Sequence, residues 1–269
     1  MAIHNNPRSP LVNVMARAAE KAAKGLLRDF GEVEHLQVSR KGPSDFVSTA
    51  DVNAQKIIYE ELQKARPEFG FLMEEKGFDK PGEWRWIVDP LDGTTNFLHG
   101  VPLWSITIAA EHNGQVIAGI VFEPIRNEMF WAERGTGAFS NRQRLRVSGR
   151  TDLADCLATT GFPFKGSRKD ATFFTQLENV AFNIAGIRRT GSAALDLAYT
   201  AAGRFDAYWE FGLHPWDCAA GSLLVSEAGG RVSPLHVGEI PHTSGALIAT
   251  NPHIHDAFVA MVRKQKEAA

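Results

Sequence analysis

Residues 86 to 97 read WIVDPLDGTTNF, an apolar run that passes without a break into two aspartates, a glycine and two threonines. The opening Trp86-Ile87-Val88 is aromatic and β-branched, the chemistry of a strand. The acids and hydroxyls behind it are poor core material. Working outward, the same β texture extends from Glu83 to Val147: LWSITIAAE, QVIAGIVFEP and EMFWAE are separated by turn pairs such as Asp92-Gly93 and Asn113-Gly114. This texture predicts a largely antiparallel sheet.

Helices flank that block. Ser9-Pro10 supplies an N-cap and a first-turn proline, after which Leu11, Met15, Ala18, Ala22, Leu26 and Phe30 recur at helical spacing. A second helix is expected from about Thr49 or Asp51 through Ile57, Ile58 and Leu62. It should stop before Pro67, since the residue ahead of a proline disfavours helical geometry. Past Thr151 helices return between short strands. The pattern predicts a helix around Ala171 to Ile184, another after Gly191, a strand FDAYWE, a helix from about Trp216 to Ala228, a strand LIATN, and a closing helix capped by Asn251-Pro252. The order implies an α+β half over about 1–150 and an α/β half over about 151–269. No Pro/Gly/Ser-rich linker and no internal repeat divides them, so a single domain over 1–269 is expected, built of two packed sheets with helix layers.

Lys plus Arg number 29 against 31 Asp plus Glu, a net charge of −2, which gives no electrostatic reason to expect nucleic acid or an acidic membrane as partner. No stretch reaches the roughly 18 apolar residues needed to span a bilayer. Two cysteines, Cys156 and Cys218, are too few for a disulfide framework and too scattered for a zinc site, and read as buried thiols. A reducing, cytoplasmic setting is the expectation.

Asp-Pro and Asp-Gly are turn formers, and an isolated Asp-Gly usually is a turn. A turn, however, needs neither Asp89 three positions before Asp92 nor Thr94-Thr95 behind the glycine. A calcium loop starting at Asp89 would want Glu at its twelfth position and oxygen ligands at alternate ones, where Gly100 and Leu91 stand. An aspartyl-nucleophile phosphatase would carry its nucleophile two residues before Asp92, where Pro90 stands. Hydrolysis by metal-activated water fits better. Carboxylates are the ligands Mg²⁺ prefers, and beside a phosphate they would repel it without cations. Gly93, Thr94 and Thr95 offer backbone N–H groups and hydroxyls for phosphate oxygens if a helix begins there.

WIVDPLDGTTNF resembles the first signature of the inositol monophosphatase family, and HPWDCAAGSLLVSEAGG (His214 to Gly230) resembles its second. The resemblance extends to SRKGPSDFVSTAD (Ser39 to Asp51), to Glu74-Glu75, and to GSAALDLAYTAAGRFDAYWE (Gly191 to Glu210), most of the chain from about residue 40 to 230. One departure is visible: Met73 and Lys76 flank the glutamate pair where the family commonly has Gly and Ser or Thr.

The resemblance implies the layered αβαβα sugar-phosphatase fold and two or three Mg²⁺ ions per site. One ion would be held by Glu74, Asp89 and the carbonyl of Leu91, a second by Asp89, Asp92 and Asp217. Phosphate would sit on Gly93, Thr94 and Thr95. Sugar hydroxyls would meet Glu210 and the start of the helix after Gly191, at Ser192 and Ala193. Asp51 would support Thr94, and with Glu74 they would orient and deprotonate the attacking water. It further implies inhibition by lithium and a homodimer, to which the apolar stripe of Phe173, Phe174 and Leu177 lends its own motive.

The bland readings stand beside these. His214 reads as a structural hydrogen-bonder, Trp216 as packing under a helix start, and the FFTQLENVAF stripe as core or dimer contact. The favoured substrate is a small phosphate monoester of a polyol, inositol 1-phosphate first. Fructose 1,6-bisphosphate, a phosphoadenosine or histidinol phosphate on the same fold and metals is the alternative. The other class weighed is a non-enzymatic RNA- or protein-binding partner, against which the complete set of four acids and the near-neutral charge both count.

Overall fold

The computed structural model describes residues 8–32, 38–42, 45–75, 79–163, 171–235 and 238–264, with 38–42, 45–48 and 171 by backbone course alone. The chain opens with α1 (Pro10–Phe30), the hairpin β1 (Val38–Gly42) and β2 (Asp45–Ser48), and α2 (Thr49–Ala65). As expected, Ser9 caps α1: its hydroxyl accepts the Val12 N–H at 3.2 Å, and Pro10 loses nothing where an N–H has no helical acceptor. Then come β3 (Gly70–Met73), β4 (Trp84–Asp92), the short α3 (Thr94–Leu98), β5 (Ser105–His112), β6 (Gln115–Glu123), β7 (Glu128–Glu133), β8 (Gly137–Ser140) and β9 (Gln143–Arg144). These strands make a seven-stranded sheet in sequence order, antiparallel except for the parallel pair β3–β4.

The remainder is β10 (Leu157–Thr160), α4 (Ala171–Ala181), β11 (Gly186–Arg188), α5 (Ala193–Ala201), β12 (Ala207–Phe211), α6 (Pro215–Glu227), β13 (Arg231–Pro234), β14 (Ala246–Thr250) and α7 (His255–Arg263). Its strands form a five-stranded mixed sheet in the order β11-β10-β12-β14-β13, parallel through β11, β10 and β12 and antiparallel beyond.

Side-chain alternation sorts the layers. On β4, Trp86 and Val88 join the core under α1 and α2, whereas Ile87 points the other way into a core shared with α5 and α6. On β12 and β14, Tyr208, Leu247 and Ala249 face α5 and α6, whereas Ala207, Trp209, Ala246 and Ile248 join a third core that holds Phe258 and Val262 of α7 and Val180 of α4. The stack is therefore helices, sheet, helices, sheet, helices: the αβαβα sandwich, with α5 and α6 as the shared middle layer. A helix covered by sheets on two sides must be apolar nearly all round and slim. α6 meets this with Cys218, Ala219, Ala220, Gly221, Leu223, Leu224 and Val225 buried. Against it β6 carries Gly119, where a Cβ would come within 2.9 Å of the Ala220 Cα.

Two expectations need correction. Asn251 does not sit at the N-cap of the closing helix: its side-chain oxygen accepts the His253 and Ile254 amides at 2.9 and 3.3 Å, forming a turn that delays the helix to His255. The helix starting at Ala171 ends at Ala181 rather than Ile184, as the Asn183 amide turns back to the Val180 carbonyl. Both cysteines are buried and free. No helix among the described residues is long and apolar enough to cross a membrane.

Candidate active site

The site begins with an irregularity in β4. Asp89 pairs with Thr107 and Asp92 with Ser105, so three steps on β4 oppose two on β5. The extra residue is a β-bulge, and Pro90, which has no N–H to give a ladder, lies within it. In a regular strand Asp89 and Asp92 would point to opposite faces. The bulge resets the parity: Leu91 drops into the core under α1 and α2, and Asp92 turns to the middle layer beside Asp89. Two carboxylates are thereby aimed at one space.

Gly93 then takes φ +91°, a left-handed conformation that a side chain would strain, and a Cβ there would meet the Leu103 carbonyl at 3.0 Å. α3 starts at Thr94 and leaves its first amides without helical acceptors. The Thr94 hydroxyl lies 3.2 Å from Asp51 Oδ1 and 3.0 Å from the Leu91 carbonyl, tying the first turn of α2 to the end of β4. Asn96 donates to the carbonyls of Leu103 and Thr190 at 2.7 and 2.8 Å, which fastens α3 to the loop ahead of α5.

Other acids arrive from distant segments. Glu74 follows β3, where Gln55 of α2 clamps the backbone of Glu75 in both directions, at 2.7 and 3.0 Å. Glu74 lines the cavity and Glu75 does not. Asp217 stands in the first turn of α6, its carboxylate accepting the His214 amide at 2.6 Å. Asp92 Oδ2 accepts from the Ser192 hydroxyl, from the Ala194 N–H at 2.9 Å and from the Ser105 hydroxyl at 3.4 Å, which pins it to the start of α5. Glu210, near the end of β12, also lines the cavity; it accepts the Tyr208 hydroxyl at 2.9 Å and packs against Gly161, where any Cβ would fall on its carboxylate.

These residues enclose one cavity of about 150 Å³. Of the predicted site residues, Glu74, Asp89, Leu91, Asp92, Gly93, Thr94, Thr95, Gly191, Ser192, Ala193, Glu210 and Asp217 all line it, and Asp51 touches Thr94 from behind. Gly161, Phe162, Arg189, Gly212 and Leu213 line it as well and were not foreseen. The sole prior signals for them were Gly-Phe-Pro after a strand and Arg-Arg before Thr-Gly, neither with a diagnostic spacing. His214 donates its backbone N–H to Asp217 and stacks its ring on Trp216 at 4.7 Å, in keeping with the structural reading.

Crowded acids oppose their own ionisation. Burial, then the charges of Glu74, Asp92 and Asp217, hold Asp89 well above the usual carboxylate range. Burial and the Asp92 charge do the same to Asp217. Asp92 rises only to about 6, as the Ser192 hydroxyl and the Ala194 amide offset part of its burial. Burial lifts Glu210 to about 7, with the Tyr208 hydroxyl and the charge of Arg189 pulling the other way.

Among the described residues no group of three His, Cys, Asp or Glu side chains stands ready as a metal cage. Asp89, Asp92 and Asp217 are instead turned onto protein N–H and O–H donors. The donor set still fits a hard divalent cation: it is oxygen only, it comes from three separate segments around one cavity, and its members repel one another. Glu74, Asp89, Asp92, Asp217 and the Leu91 carbonyl are the residues that could hold such ions.

With the geometry in place, likeness to known proteins is informative. The sequence model of the inositol monophosphatase family matches residues 8–267. The chain is 52% identical over 263 residues to the inositol-1-monophosphatase of Mesorhizobium japonicum, covering 97% of this chain and 99% of that protein. It is 40% identical over 259 residues to Nus factor SuhB of Escherichia coli, covering 95% and 97%. The crystal structure of extragenic suppressor protein suhB from Bartonella henselae superposes with a TM-score of 0.91 at 51% identity, covering 95% of this chain and 99% of that one.

Proposed function

The chain belongs to the inositol monophosphatase family and is a phosphoric monoester hydrolase, and from that premise we propose that it hydrolyses a polyol phosphate, inositol 1-phosphate first, with Mg²⁺. The observation that supports this reading is the convergence of Glu74, Asp89, Asp92 and Asp217 on a cavity that a fifth carboxylate, Glu210, also lines. When bound, Mg²⁺ supplies the positive charge that lets acids and phosphate share one space, and it acidifies water.

The chain's own residues do the rest. The amides at the head of α3 and the Thr95 hydroxyl receive phosphate oxygens. Thr94, oriented by Asp51, accepts a hydrogen bond from the attacking water, and Glu74 takes its proton. Asp92 and Asp217 would hold the cation that supplies positive charge to the leaving oxygen, which takes its proton from solvent, and Ser192 with the α5 amides fixes Asp92. Glu210 accepts hydrogen bonds from leaving-group hydroxyls, which an aryl ester lacks. Phosphate release measured on a panel of monoesters, with Mg²⁺ and with a chelator, tests the reading: turnover that survives complete metal removal would sink the mechanism, and indifference to the leaving group would sink the substrate. Lithium inhibition is expected in the same assay.

The setting proposed is cytoplasmic, supported by two unpaired thiols. A homodimer is proposed from α4. Phe173 of the predicted stripe is core and Leu177 partly buried, but Phe174 is 64% exposed and Phe182, just past the helix, 84%. Sedimentation showing monomer alone at micromolar concentration refutes it. The name of the Escherichia coli relative motivates the second reading, a non-enzymatic RNA- or protein-binding role. The four acids and the net charge of −2 weigh against it, and the same phosphate-release assay separates the two.

A further inference from the structure

Among the described residues, three large apolar side chains line the cavity, Leu91, Phe162 and Leu213, and they differ in what covers them. Leu91 and Leu213 are 1% and 8% exposed, whereas Phe162, just past β10, is 47% exposed. An aromatic ring left half in water keeps apolar area that a ligand can still cover. Phe162 is also held in place: its ring makes a T-shaped contact with the buried ring of Phe173 on α4, the centroids 5.4 Å apart. A ring anchored on one side and open on the other costs little further ordering when a ligand settles on it.

The residue before it brings in a polar partner. A Cβ at Gly161 would fall on the Glu210 carboxylate, so that carboxylate lies against the backbone next to Phe162. A hydrogen-bond acceptor and a half-exposed aromatic ring therefore stand side by side on the cavity border. The molecule that matches such a pair carries hydroxyls on its rim and C–H bonds on its face, which is the build of a cyclic polyol. An acyclic polyol offers hydroxyls without a face, and an aryl ester a face without hydroxyls. We propose that Phe162 is a specificity-determining residue, the platform on which the C–H face of a cyclic polyol leaving group lies while Glu210 accepts its hydroxyls. The proposal rests on the polyol reading of Glu210 given above and narrows it from polyols in general to ring-shaped ones.

The test measures kcat and KM of wild type, Phe162→Ala, Phe162→Leu, Phe162→Trp and Glu210→Gln on inositol 1-phosphate, glycerol 2-phosphate and 4-nitrophenyl phosphate. In Phe162→Ala the preference for inositol 1-phosphate over glycerol 2-phosphate falls about tenfold, with the loss in KM, the size expected when apolar contact with a substrate ring is removed. The 4-nitrophenyl ester, which has a ring, weakens along with the inositol ester. Phe162→Leu fills much of the same volume without a flat face and shifts the preference in the same direction, so the outcome does not depend on the alanine variant folding. Phe162→Trp keeps the preference. Glu210→Gln divides the substrates differently, weakening both polyol esters and sparing the aryl ester. Sedimentation of each variant accompanies the kinetics, because Phe173 also touches Phe174, whose exposed ring belongs to the proposed dimer face. An equal loss on all three esters, with or without a shift toward monomer, overturns the proposal, since Phe162 would then act through the fold or the dimer. A preference for the inositol ester over the glycerol ester that is missing in wild type, or that both Phe162→Ala and Phe162→Leu leave intact, overturns it as well. Wild type that shows no preference for the inositol ester over the aryl ester refutes the polyol reading itself, whatever Phe162 does.

Discussion

Asp92 shows how much of the site depends on a single oxygen. Its Oδ2 gathers donors from β5 and α5, so the carboxylate proposed as a metal ligand is also a tie between the two halves of the chain. Asp92→Asn keeps a carbonyl oxygen for the Ala194 amide and removes one charge from a crowded acidic cavity. The expected result is a melting temperature no lower than wild type in the absence of metal and a kcat reduced roughly 100-fold or more. A variant that melts early, or one that retains more than a tenth of kcat, contradicts this. The second residue-scale prediction lies far from the site. His255 is buried between Thr250 and Ser233, each hydroxyl 2.8 Å from a ring nitrogen, and burial followed by the charge of Arg231 lowers its pKa from 6.5 to about 4. A base whose folded pKa is depressed lends stability that is complete above 6.5 and is lost as pH falls toward 4, because the unfolded chain takes up the proton first. Wild type should lose about 2 kcal/mol more than His255→Gln between pH 7.5 and pH 5. Parallel profiles for the two proteins would remove His255 from the account. Asp89 and Asp92 were legible in the sequence because two acids ahead of Gly-Thr-Thr are poor core material, whereas Glu74, Asp217 and Glu210 were placed beside them by the family resemblance. Phe162 and Gly161 were not legible, since the significance of each lies in a partner brought close by folding.

Among the elements, α6 couples stability to the site. It carries Asp217 at its head and lies flat on β6 through Ala220, with Gly119 as the point of closest approach. Gly119→Ala would set a methyl 2.9 Å from the Ala220 Cα, where backbone rather than a flexible side chain must yield. The expected cost is about 1–3 kcal/mol, the range for overpacking, together with lower activity as the head of α6 shifts. Chemical denaturation and phosphate release on the same preparation check both, and an unchanged midpoint with full activity would falsify the coupling. Long elements with strong periodicity, α1, α2 and the strands from β4 to β7, were readable because many side chains repeat one instruction. Strands β3, β10 and β11 were not, as three or four residues carry no periodicity and pairing alone makes them strands. The bulge in β4 belongs between these cases. Pro90 marks it in the sequence, but only the register with β5 turns Asp92 to the face of Asp89.

At the scale of the whole molecule, the αβαβα stack brings the end of β4, the segment after β3 and the head of α6 to one place although residues 74 and 217 are far apart in sequence. The stack has to bury those acids, and mutual repulsion raises the pKa values of Asp89 and Asp217, so the metal-free fold bears a cost that a bound cation would relieve. An ion that binds the folded chain and not the unfolded one stabilises it by mass action, about 2.7 kcal/mol at one hundred times its dissociation constant. For a chain of this length that corresponds to a melting temperature raised by roughly 5–10 °C. Mg²⁺ should therefore raise the melting temperature over metal-free protein at matched ionic strength, and NaCl alone should not, since screening acts weakly on buried charges. Asp217→Asn should lose most of the Mg²⁺ response while melting no lower than wild type without metal, because the change removes the repulsion along with the ligand. Glu210→Gln should keep the full response, as Glu210 borders the cavity but is not among the proposed metal ligands. An equal response in wild type and Asp217→Asn would place the ion somewhere other than among these acids, and the hydrolytic reading would then need a different source of positive charge at the phosphate.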